Sequence, residues 1–188
     1  MINEYDKYFV TPPNNRPQYV VSVTPSLSIS MQGNYFVGQT ETLSLGNGTY
    51  AWTGLVNPPH SHMNLYANVF TVSNFSNEDL VTEIWLNTNI PANASVATKV
   101  SPSNTSIMPL PINRVDILYK DSINNNTPPQ AGVNIYQRIV PPMTTLVSEE
   151  DGKFIEAPGG NYSLVIKSLT SNPAQAVVAL GWWEKVKC

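Results

Sequence analysis

Apolar residues recur along this chain in short runs, most of them alternating with polar residues, and clusters of Asn, Gly, Pro and Ser cut the runs apart. A period of two puts successive side chains on opposite faces of a strand, so the pattern predicts strands joined by turns. The predicted strands lie at residues 18–24, 27–31, 35–37, 40–45, 49–55, 63–75, 80–87, 95–100, 115–120, 133–140, 144–147, 153–155, 162–169 and 176–186.

The segments 63–75 and 80–87 predict a hairpin, because Ser76-Asn77-Glu78-Asp79 between them is turn chemistry. In its second arm Leu80, Thr82, Ile84 and Leu86 share one face, and Val81, Glu83, Trp85 and Asn87 the other. The segments 162–169 and 176–186 are joined by the hairpin-sized loop Thr170-Ser171-Asn172-Pro173. Asn172-Pro173 also reads as a helix start, but Gly181 and the pair Trp182-Trp183 disfavour a helix interior, so a strand is expected there. No other segment suggests a helix. Many short strands with evenly spaced turns predict an all-β chain, a two-sheet antiparallel β-sandwich or jelly roll forming one domain over residues 18–188. Residues 1–17 differ. Tyr5, Tyr8 and Phe9 precede Pro12-Pro13-Asn14-Asn15-Arg16-Pro17, which predicts an extended N-terminal arm with aromatic anchors.

Composition narrows the function classes. Only 12% of residues are charged, and polarity comes instead from amides and hydroxyls, with 21 Asn among 188 residues. The net charge is −3 and no run of cations exists, so nucleic acid is not an expected partner. No stretch of apolar residues is long enough for a membrane span. The opening residues have neither a basic region nor an apolar core, so the expectation is synthesis in the cytoplasm without a signal peptide. The single cysteine, Cys188, cannot form an internal disulfide, but could join two subunits.

Candidate chemistry is sparse. No Gly-x-Ser-x-Gly or P-loop occurs, and no catalytic residue or cofactor is expected. On an extended segment His60 and His62 would point the same way and could share a metal. Gly54, five residues, then His60-x-His62 resembles the opening of the cupin metal motif over nine residues. Where that motif continues with Glu, this chain has Tyr66 and Ala67, and no third histidine exists. The alternative is a solvated loop after Pro58-Pro59. Glu149-Glu150-Asp151-Gly152 reads as an acidic turn, with calcium binding the alternative, and Glu184 as a solvated acid beside aromatics, with a catalytic or sugar-binding acid the alternative. Adjacent residues in a strand face opposite ways, so one of Trp182 and Trp183 is expected at solvent, a ligand or another subunit. With Trp85 they are candidates for an interface or a carbohydrate platform.

Taken together, the hairpin at 65–86 and the closing stretch at 157–184 resemble small jelly-roll subunits of bacterial spore-surface appendages, and uncharacterised β-sandwich proteins of spore-forming bacteria. Phage virion proteins share this kind of composition. The resemblance implies a non-enzymatic structural protein that assembles as a homo-oligomer on a spore or virion surface. Appendage subunits typically crosslink through cysteines near the N-terminus, whereas Cys188 is the last residue here. Two other functions are carried forward: a module that binds a glycan or a surface partner, and a cupin-like metal-binding protein.

Overall fold

The computed structural model describes residues 21–127 and 129–187. One short helix, α1 (Pro25–Met31), precedes the strands β1 (Tyr35–Gln39), β2 (Leu43–Leu45), β3 (Thr49–Val56), β4 (Met63–Asn74), β5 (Leu80–Leu86), β6 (Ser95–Val96), β7 (Lys99–Pro102), β8 (Asp116–Asn124), β9 (Val133–Val140), β10 (Thr145–Glu156), β11 (Asn161–Ser168) and β12 (Ala174–Val186). They form two antiparallel sheets packed face to face. The first runs β10-β4-β12-β1-β7, with β2 also paired to β12, and the second runs β6-β8-β3-β11-β5-β9.

Eight of these strands wind as a jelly roll. In the order β1, β3, β4, β5, β9, β10, β11, β12, the first pairs with the last, the second with the seventh, the third with the sixth and the fourth with the fifth. The chain therefore changes sheet at most of its turns. The long strands direct one set of side chains into the gap, and one continuous apolar cluster fills it, including Phe36, Leu55, Phe70, Ile84, Tyr162, Leu164 and Trp182. Burial of that many large side chains is the main stabilising term.

Three buried asparagines close the corners where strands change sheet. The Asn57 amide donates to the carbonyls of Met63 and Glu156, that of Asn74 to Glu78, Val140 and Pro141, and that of Asn161 to Thr88. A corner leaves backbone carbonyls without ladder partners, and a short amide side chain satisfies them.

The all-β sandwich expected from the pattern is present, but several local expectations need correction. The segment 27–31 is helical. Thr24 caps it, its Oγ1 accepting the Leu27 N–H, and Pro25 occupies the first turn. That start signal outweighs the Ser/apolar alternation that mimicked a strand. The segments 63–75 and 80–87 do not form a hairpin: β4 pairs with β10 and β12, and β5 with β9 and β11. Likewise β11 and β12 belong to different sheets, so their short joining loop spans the layers. A short polar loop satisfies either geometry, and only the shared core separates the two. The segment 95–100 divides into β6 and β7, again in opposite sheets. The segments 144–147 and 153–155 belong to a single strand, β10, whose pairing with β4 is interrupted between Glu149 and Phe154 by a bulge with positive φ at Asp151 and Gly152. Residues 21–24 are not a strand, and the rest of the segment 18–24 lies, with the arm at 1–17, outside the described residues.

Candidate functional site

Trp182 and Trp183 do face opposite ways, but neither reaches solvent. Trp182 stacks on Phe36 inside the sandwich. Trp183 points outward from the first sheet and is only 5% exposed, because Tyr66 stacks on it at 5.6 Å and Ile29 of α1 and Tyr35 close over it. The expectation of one free ring fails because the sequence pattern concealed α1. Trp85 is half-buried on the outer face of the second sheet and donates from Nε1 to Glu83 at 2.9 Å. Tyr5, Tyr8, Phe9 and Cys188 lie outside the described residues.

His60 and His62 sit in a turn, not on an extended segment. His62 has φ of +58°, and Ser61 between them is tied to Asn57 through its hydroxyl. The premise that residues two apart share a side therefore does not hold here. Among the described residues no three His, Cys, Asp or Glu side chains gather in a way that could hold a metal ion.

The buried carboxylates serve the fold. Glu184, expected as a solvated acid, is 1% exposed. It accepts the backbone N–H groups of Arg114 and Val115 and the indole N–H of Trp182. Burial raises its pKa, and those donors oppose the rise. Glu83 is buried on an outer face by Lys167 at 2.6 Å, with Trp85 beside it. Glu150 receives Lys153 at 2.6 Å and the Ser148 hydroxyl at 2.8 Å. Strand register and the fold bring Lys167 to Glu83 and the Arg114 and Val115 amides to Glu184, whereas Glu150 takes its partners from within its own strand.

Among the clefts on the sandwich, two adjoin buried aromatic rings. One, of about 430 Å³, lies on the outer face of the second sheet, where Tyr50, Trp52, Lys120 and Ile123 meet the loops carrying Ile90 and Pro129. Its rings are anchored: Tyr50 donates to the Thr127 carbonyl and Trp52 to the Thr88 hydroxyl. The other, of about 570 Å³, lies between the start of α1 and the β10 bulge, beside Asn68, Glu149, Asp151 and Trp183.

The feature with most capacity to act is one lateral side of the sandwich. There β9 ends the second sheet and β10 ends the first, and Tyr136 of β9 meets Phe154 of β10 across the layers at 6.2 Å. Among the described residues no strand pairs with the outer edge of either. Their 8 and 12 residues contrast with the opposite side, ended by β6 with 2 residues and β7 with 4. Val133, Tyr136 and Ile139 on β9 and Val147 and Ile155 on β10 are exposed. Long edges present a row of unpaired N–H and C=O groups, which is a template for another strand.

Compared with known proteins, the chain matches over residues 6–188 the model of DUF6143, a family of unknown function. No curated protein and no solved structure matches it.

Proposed function

We propose that this chain, which belongs to the DUF6143 family, is a non-enzymatic structural protein, a jelly-roll unit that associates with further copies of itself. The observation that carries this reading is the open side formed by β9 and β10, where two long edges and exposed apolar side chains coincide. The buried carboxylates support it as well, since Glu184, Glu83 and Glu150 are each committed to contacts within the fold. The setting suggested by the sequence resemblance is a bacterial spore or virion surface, with residues 1–17 adding a further contact between units.

Light scattering of the full chain across a range of concentrations tests the reading. Oligomers that grow with concentration, and shrink when residues 1–17 are removed, are expected. A strict monomer at every concentration overturns it.

A second reading, a module for a glycan or surface partner, is favoured by the cleft beside the buried Tyr50 and Trp52 rings, where Asn89 and Lys120 supply polar groups among Ile90, Pro91 and Ile123. Glycan-array binding that is lost in Lys120→Ala supports it, and a blank array overturns it.

A further inference from the structure

Resting on the self-association just proposed, we infer that the basic unit is a closed twofold dimer in which β9 of each copy pairs antiparallel with β10 of the other. The two edges lie on the same side of the sandwich, β9 closing one sheet and β10 the other. They are consecutive strands joined by the short segment 141–144, so they run in opposite directions. A twofold axis parallel to the strands exchanges the two layers without reversing any strand. It therefore sets β9 beside β10 of the second copy in antiparallel sense, and β10 beside the second copy's β9. All four open edges are satisfied at once, and an isologous contact of this kind closes as a dimer.

Charge separates this arrangement from the other twofold, which would set β9 on β9 and β10 on β10. The single charge on β9 is Arg138, which has no ion pair among the described residues. On β10, Glu149 and Asp151 are exposed and without an ion pair among the described residues, while Lys153 is taken by Glu150. Like edges would bring the acidic bulges together, whereas unlike edges set each bulge beside β9, a strand that carries no acid.

Side-chain facing then selects a register. On β9, Arg138 lies opposite Thr82 and Val140 opposite Leu80, so both belong to the inner face, and Gln137 and Ile139 to the outer. On β10, Leu146 packs on the core and Glu150 is buried, while Val147 and Glu149 are exposed. Inner must meet inner, because a slip of one residue reverses every side chain. With Arg138 opposite Ser148 of the second copy, Val140 meets Leu146, Ile139 meets Val147 and Gln137 meets Glu149, over the regular stretches 136–140 and 146–150. The diagonal neighbour of Arg138 on its own face is then Glu150, which already holds Lys153. Ile139 and Val147, 62% and 57% exposed in the single chain, cover one another.

The test is sedimentation velocity with charged and cysteine variants of the full chain at these two exposed positions, where the monomer fold tolerates change. Ile139→Lys and Val147→Glu each raise the dimer dissociation constant tenfold or more, and the double variant recovers to within a few fold of the parent. In a Cys188→Ser background, Ile139→Cys with Val147→Cys forms a covalent dimer under mild oxidation, while either alone does not. A covalent dimer from Ile139→Cys alone, or an oligomer untouched by both charged variants, overturns the pairing and leaves self-association standing. So does an oligomer that survives Ile139→Lys but dissociates on removal of residues 1–17, which assigns the contact to the arm. A parent chain that is monomeric throughout overturns self-association itself.

Discussion

Trp183 lies across Gly152, its Cζ2 and Cη2 atoms occupying the place where a Cβ of residue 152 would stand. Gly152 has φ of +71° at the apex of the β10 bulge. The bulge thus sets the one residue without a side chain under the outward-facing indole, and the ring seals the outer face of the first sheet. Gly152→Ala meets both a steric overlap and a backbone that alanine adopts at a cost. A loss of about 2–4 kcal/mol in urea-induced unfolding is expected. Gly48→Ala is the control: its φ is +78° but nothing stands within 4 Å of the added Cβ, so the loss is limited to about 1 kcal/mol. Equal losses for the two would show that the Trp183 contact contributes nothing.

Glu184 gathers the N–H groups of Arg114, Val115 and Trp182 on one buried carboxylate and so ties the segment before β8 to β12. Glu184→Gln keeps the volume but turns an amide N–H toward donors. Destabilisation of about 2–3 kcal/mol is expected, with faster hydrogen exchange at Arg114 and Val115. Unchanged exchange at those two amides would contradict this role.

Strand existence was legible because period-two alternation reports which residues line a sheet, as at Leu80, Thr82 and Ile84, all buried. Partner choice was not. The loop Ser76-Asn77-Glu78-Asp79 has the composition of a hairpin turn yet carries the chain from one sheet to the other, because the core is shared between layers and rewards either route locally. The candidate side was hidden for a related reason: β9 and β10 are edges only by virtue of the winding, and no residue type marks an edge. Abundant asparagine was legible as low charge. That Asn57, Asn74 and Asn161 are buried struts required the corners themselves. Trp183 misled because the helix covering it has an alternating sequence.

Glu156 gives stability a pH dependence of a stated sign. Burial raises its carboxyl from the ordinary value to about 7, with the Asn87 side chain opposing the rise. The folded state then binds a proton more tightly than the unfolded chain between about pH 4.5 and 7. The contribution of this group is fully present on the acid side of that window and declines as pH rises through it, by no more than about 3 kcal/mol. Glu156→Gln removes the dependence. The difference in unfolding free energy between parent and variant, measured from pH 5 to pH 8, is expected to favour the variant increasingly toward high pH. A flat difference would refute the assignment.

Asn74 offers the sharpest test of the corner struts, since three carbonyls converge on its Nδ2: Glu78 at 2.7 Å and Val140 and Pro141 at 3.1 Å. Its Oδ1 accepts from the Ser76 N–H and hydroxyl. One side chain therefore links the turn after β4 to the end of β9, from opposite sheets. Asn74→Ala leaves those carbonyls buried without a donor, and a loss of about 2–4 kcal/mol is expected. Asn74→Asp preserves shape but turns an acceptor oxygen toward three others, so it loses at least as much at neutral pH and regains part at low pH, where a protonated carboxyl can donate to one of them. Shape alone would instead leave Asn74→Asp near the parent and only Asn74→Ala impaired. Chemical denaturation of the three proteins at pH 7 and pH 4 separates the two accounts.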